Sequence, residues 1–131
     1  MERLHRIVFA VFAAGMLVLG GLGLSLPFVP DVDTGFAPGS DAATELLHLT
    51  QEAAAGMFAL GLLAAWAARH PARSGAVHVA LTAYFVLIAA IHWIDFARGA
   101  RPLTSGLLNS VPFVVLACSW GLRRAPAAEP A

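Results

Sequence analysis

Charged residues, cysteine and catalytic motifs are scarce in this sequence. Of its 131 residues 12% are charged, the formal net charge is zero, and Cys118 is the single cysteine. Without a basic block the chain has no electrostatic basis for nucleic-acid binding. A lone cysteine excludes an internal disulfide. The sequence also has no glycine-rich phosphate loop, nucleophile elbow or Ser/His/Asp arrangement, so no common hydrolase or nucleotide-binding class is indicated.

Hydrophobic residues are abundant and come in long runs. They make up 59% of the chain, and the mean hydropathy is +0.75. A soluble domain of this size could not hide that much apolar surface, whereas runs of about 20 apolar residues are typical of membrane spans. The sequence therefore predicts an all-α fold, a four-helix transmembrane bundle in one membrane domain, with a disordered tail at 125–131. The predicted spans are about 7–29, 43–68, 76–97 and 105–122.

The arginines are distributed unevenly between the two predicted sides of the membrane. Six lie on the side that holds both chain ends: Arg3, Arg6, Arg69, Arg73, Arg123 and Arg124. Only Arg98 and Arg101 lie on the other side. Cytoplasmic segments carry the excess of basic residues, so both ends are predicted in the cytoplasm (N-in/C-in) of a bacterial inner membrane.

Five ionisable residues are predicted near the outer ends of spans two and three. Glu45, His48 and Glu52 follow the i, i+3, i+7 spacing of one helix face, and His92 and Asp95 share a face of the next helix. Glu52 and His92 each lie about 24 Å from the inner end of their helix. Consecutive helices joined by a short turn are antiparallel neighbours. We therefore predict one polar site facing the periplasm.

Several functions for this site remain open, because a charged group inside a span costs at least about 2.5 kcal/mol and normally has a partner. Two imidazoles and two carboxylates suit a transition metal. His48 and His92 could instead be axial ligands of haem b, although they differ by about 6 Å in depth. Acid–histidine chains also form proton pathways and quinone sites. The purely structural alternative is that these groups pair with each other and only fix helix packing. Supporting candidates are Tyr84, Asn109 and Arg98.

Three further histidines are predicted to have no such role. His5 and His70 lie among arginines and are expected to add to the basic flank. His78 opens the third helix near the headgroups and is expected to be solvated.

The layout resembles that of small bacterial DoxX-like membrane proteins. The shared features are four spans without a soluble domain, an acid early in span two (Glu52), and the Gly-x-x-x-x-Gly run from Gly56 to Gly61. Some members of that family are associated with quinone-linked oxidation or are subunits of larger membrane complexes, so the resemblance implies a redox or accessory role.

Two hypotheses of different classes follow. The first is a metal, cofactor, proton or quinone site made by His48, Glu52, His92 and Asp95, with Glu45 at its mouth. The second is a non-catalytic subunit whose helices pack in a larger membrane complex. The lipid bilayer is the common partner, and a homo-oligomer is a further alternative.

Overall fold

The structure is a computed structural model that describes residues 2–29 and 32–124, with side chains up to residue 120. Four long helices make up most of it, and no strand occurs in these two ranges. This confirms the predicted all-α fold of four helices. The helices are α1 (Glu2–Ser25), α2 (Asp41–Arg69), α3 (Gly75–Ala97) and α4 (Leu103–Arg124).

The start of the first helix and the two short turns between helices could not be read from the apolar runs alone. Helix α1 begins at Glu2 rather than near residue 7, and Arg6 forms an ion pair with Glu2 one turn earlier. A short 3-10 turn, Leu26–Phe28, follows α1, and a second one, Pro71–Arg73, joins α2 to α3. Proline fits the first turn of each because its fixed φ suits that position and no N–H is needed there. The predicted disordered tail at 125–131 lies outside the described residues.

Every helix has the length and composition of a membrane span. Each also exposes large apolar side chains, as a helix in contact with lipid does; examples are Val18, Leu62, Leu87 and Leu108. No water is present in the bilayer core, so a continuous helix is the form that satisfies its own backbone groups there. The chain is a multi-pass membrane protein.

The chain divides into two compact units. The central unit is Ala10–Trp66, and the terminal unit is Met1–Phe9 with Ala67–Ala131. In the central unit α1 and α2 approach so closely that their backbones nearly touch at Gly20. A Cβ on Gly20 would lie 2.7 Å from the backbone nitrogen of Phe58 and 2.9 Å from the carbonyl oxygen of Ala54. Glycine is therefore required there, as in other close helix crossings in membranes.

In the terminal unit, α3 packs against α4. Where α3 ends and α4 begins, the indole ring of Trp93 covers Gly106, and its Nε1–H donates to Ser110 Oγ at 3.0 Å. Toward the start of α3 and the end of α4, Leu81 and Leu116 are fully buried. These contacts fix the faces that α3 and α4 turn toward each other, and with them the positions of His92 and His78.

Candidate functional site

The predicted polar residues of α2 lie in the central unit and form one contact. His48 Nε2 is 3.3 Å from Glu52 Oε1, and the two side chains are 62% and 63% exposed. Their spacing of four residues places them on one face of α2, and Glu45 is exposed one turn earlier. The pair is thus an acid–imidazole couple open to the surroundings of the helix.

The predicted polar residues of α3 lie in the terminal unit. His92 Nδ1 is 2.8 Å from Ser105 Oγ on α4, and this hydrogen bond fixes the orientation of the ring. Asn109 Nδ2 donates to the Ser105 carbonyl at 2.8 Å, so this amide braces the residue that holds His92. Asp95 is half-buried three residues after His92. Of the other supporting candidates, Tyr84 is half-buried against Phe85, and Arg98 is exposed.

The meeting of the α2 and α3 groups stays a prediction, because they belong to different units. Within either unit, no three His, Cys, Asp or Glu side chains of the described chain are grouped so as to hold a metal ion. The predicted site has an α2 half and an α3 half, and each of them supplies part of the groups that a reaction would need. The α2 half is a carboxylate beside an imidazole, which can share or exchange one proton. The α3 half is an imidazole oriented by a hydroxyl, as ligand-binding histidines are oriented by a partner on the other ring nitrogen.

A second group of histidines lies where α1 begins and α3 begins, within the terminal unit, and it is not predicted from the sequence. His5 and His78 are 3% and 1% exposed, so the expectations that His5 only adds to the basic flank and that His78 is solvated are both wrong. Their rings stack with centroids 5.8 Å apart, and Phe9 lies 4.4 Å from the His5 ring and 5.2 Å from the His78 ring. The ring of Trp120 also contacts His78, edge to face, with the centroids 4.8 Å apart. Two imidazoles are thus enclosed by aromatic rings.

Hydrogen bonds fix which nitrogen of each buried ring carries a proton. His78 Nε2 is 2.8 Å from the carbonyl oxygen of Leu116. A carbonyl can only accept, so this nitrogen is the donor. His5 Nε2 is 2.7 Å from Ser74 Oγ, and that hydroxyl donates its own hydrogen to the Pro71 carbonyl at 2.8 Å. Nε2 of His5 is therefore a donor too, and in the neutral form each ring has its lone pair on Nδ1.

Two cavities flank this histidine pair within the terminal unit. One, of about 480 Å³, is open and basic and reaches His5. The other, of about 390 Å³, is an apolar groove along α3 and α4 whose lining includes His78, Thr82 and Trp120. One cavity thus borders His5, and the other borders His78.

The sequence did contain a signal for this burial. In α1, His5 begins a stripe of buried residues that continues as Phe9, Ala13, Met16 and Gly20 at helical spacing. A histidine in phase with such a stripe shares its buried face, even among flanking arginines. The partners themselves could not be predicted, because Ser74 and Leu116 are distant in the chain.

Fold and geometry together define a small, multi-pass, all-helical membrane protein with imidazole groups near both ends of its third helix. Comparison of the chain with protein-family models, with curated proteins and with solved structures gives no match. The resemblance to DoxX-like proteins stays a prediction that depends on the layout of the spans and on Glu52, Gly56 and Gly61.

Proposed function

We propose that this protein is an integral protein of a bacterial inner membrane that handles protons at an outward-facing acid–histidine site. His48 and Glu52 would exchange the proton, Glu45 would stand at the mouth, and His92 with Asp95 would receive or supply it. Quinone is the partner that the resemblance to DoxX-like proteins adds to this proposal.

The contact between His48 and Glu52 is the observation that supports the proposal best. At 3.3 Å the carboxylate oxygen and the imidazole nitrogen are near hydrogen-bonding distance, and both side chains are more than half exposed. A proton can move between these groups, and each remains accessible for exchange with water or a carrier. Groups of this kind are costly in a membrane helix and usually belong to a proton or ion pathway.

Proton movement can be measured in liposomes that contain the purified protein and a trapped pH-sensitive dye. An imposed pH step should relax faster than in protein-free liposomes. In Glu52→Gln and in His48→Asn the protein-dependent rate should fall at least about tenfold, because a positioned acid–base pair accelerates proton transfer by more than that. Asp41→Asn is the matched control, since it removes an exposed carboxylate from the same helix. Equal rates in all variants, or no protein-dependent rate, would contradict the proposal.

A bound metal or haem is the competing chemistry at the same residues. Elemental analysis and an absorption spectrum of the detergent-purified protein separate these cases. A stoichiometric transition metal, or a haem absorption band, that is lost in folded His92→Ala would replace the proton proposal by a cofactor site.

The proposed orientation places both chain ends in the cytoplasm. It is supported by the arginine distribution, with six arginines on one side and two on the other. In a Cys118→Ser background, a cysteine at Thr34 should react with a membrane-impermeant maleimide in intact spheroplasts, and one at Ala72 should react only after lysis. The reverse pattern would invert the orientation and turn the acid–histidine site toward the cytoplasm.

An accessory subunit is the second candidate function. A small-residue face of α2, made of Ala55, Gly56 and Ala59, is exposed, and a Cβ on Gly56 would meet no atom within 4 Å. Small residues on an exposed span let another helix approach closely. Under this alternative, partner chains copurify after extraction in a mild detergent and are lost in Gly56→Leu. Gly15→Leu, at another open glycine, is the control.

A further inference from the structure

The open cavity at the inner end of the terminal unit has a basic lining. It is lined in part by the turn between α2 and α3. Its volume of about 480 Å³ falls within the usual size range of small-molecule sites. Its ionisable and polar lining residues are Glu2, His5, Arg69, His70 and Arg73.

The cavity has an ordered wall. His5 lines the cavity, although its residue surface is 97% buried. Its Nε2–H donates to Ser74 Oγ, and the Ser74 hydroxyl donates to the Pro71 carbonyl. This chain ties α1 to the Pro71–Arg73 turn, so the segment that carries Arg73 is held before any ligand arrives. A site that is already in its bound shape loses less entropy on binding.

The charge of the cavity favours an anion. Arg69 and Arg73 contribute two guanidinium groups, and both side chains are exposed at the opening. Among the described lining residues Glu2 is the one acid, and its carboxylate is ion-paired with Arg6. The positive charge of the two guanidinium groups is therefore larger than the negative charge at the site. Arginine binds phosphate by paired, charge-assisted hydrogen bonds.

The position of the cavity in the membrane indicates which anion it would bind. Arg69 is the last residue of a membrane-spanning helix, so the cavity lies at the level where lipid phosphates lie. Basic cavities between membrane helices bind phospholipid head groups in this way. We propose that this cavity is a binding site for a phosphate group, carried by an anionic phospholipid or free in solution. The site is independent of the acid–histidine residues and of the proton-handling proposal.

Melting temperatures of the full chain in neutral detergent test the site. Phosphatidylglycerol is titrated against phosphatidylcholine, and sodium phosphate against sodium chloride at equal ionic strength. A saturable rise with phosphatidylglycerol alone supports a lipid head group as the ligand, and a similar rise with sodium phosphate supports free phosphate. In Arg69→Gln/Arg73→Gln the apparent Kd should rise at least about tenfold, because charge-assisted hydrogen bonds are lost.

Arg98→Gln/Arg101→Gln is the matched control, because it removes the same charge from the opposite end of the spans. It should leave the apparent Kd unchanged. The melting temperature without ligand shows whether each variant folds, and Arg69→Lys/Arg73→Lys, which keeps the charge but not the paired hydrogen bonds, should bind with intermediate Kd. The proposal is overturned if neither ligand shifts the wild-type melting temperature. It is equally overturned if the two double glutamine variants both keep the wild-type apparent Kd, or if the apparent Kd rises by the same factor in both.

Discussion

Replacing Gly20 by alanine tests the close approach of α1 and α2 in the central unit. The added methyl carbon would lie 2.7 Å from the backbone nitrogen and 2.9 Å from the Cα of Phe58, and 2.9 Å from the carbonyl oxygen of Ala54. Two carbon atoms in favourable contact are about 3.5–4.0 Å apart. All three atoms are backbone atoms, so no side-chain rotation relieves the overlap, and the helices must move apart.

The expected cost follows from two opposing effects. Overpacking of a close contact costs about 1–3 kcal/mol, and the need to move backbone places this site at the upper end of that range. Alanine recovers about 1 kcal/mol of helix propensity relative to glycine. We therefore expect Gly20→Ala to lower the free energy of unfolding by about 1–2 kcal/mol.

Gly21→Ala is the control, because a Cβ on Gly21 meets no atom within 4 Å. It adds the same methyl group to the next residue of the same helix and should be neutral or stabilising by up to about 1 kcal/mol. Titration of the micellar protein with SDS, followed by near-ultraviolet circular dichroism, gives the unfolding midpoint of both variants. Equal midpoint shifts in the two variants, or an unchanged midpoint in Gly20→Ala, would refute the predicted backbone contact.

Three further substitutions test contacts of the terminal unit by the same SDS titration. Ser74→Ala leaves the buried Nε2–H of His5 without its acceptor and should cost about 1–3 kcal/mol; an unchanged midpoint would mean that this hydrogen bond is not formed. Gly106→Ala brings a Cβ to 3.1 Å from the ring of Trp93. Because that ring can shift, a cost of at most about 1 kcal/mol is expected, and a loss of about 2 kcal/mol or more would contradict this reasoning. Trp93→Phe removes the hydrogen bond to Ser110 and should cost about 0.5–1.5 kcal/mol, whereas a stabilised variant would show that the bond contributes nothing.

The four helices could be predicted because the physics that sets them is local. Long apolar runs interrupted by prolines and charged residues define each span, and the structure has a long helix at each predicted run. The predicted first span begins at about residue 7, whereas α1 begins at Glu2, because the charged residues Glu2 and Arg6 before the apolar run are also helical. In the structure they are paired one turn apart within the helix. Composition alone does not distinguish these two arrangements.

The candidate site could be predicted only in part, because its contacts mix local and distant partners. The contact of His48 with Glu52 follows from a spacing of four residues and is visible in the sequence. The partner of His92 is different. Ser105 lies on the next helix, and nothing local indicates that its hydroxyl, rather than a carboxylate, meets the imidazole. For His78 the partner is a backbone carbonyl, which no side-chain pattern reveals.

The position of Trp93 gives the proposed site a built-in optical reporter. This indole follows His92 directly in the chain and bonds to Ser110, on the same helix as the hydroxyl that holds the His92 ring. A proton, metal or quinone that arrives at His92 should therefore change the emission of Trp93. With Trp66 and Trp120 replaced by phenylalanine, occupancy could be followed in real time without an attached label.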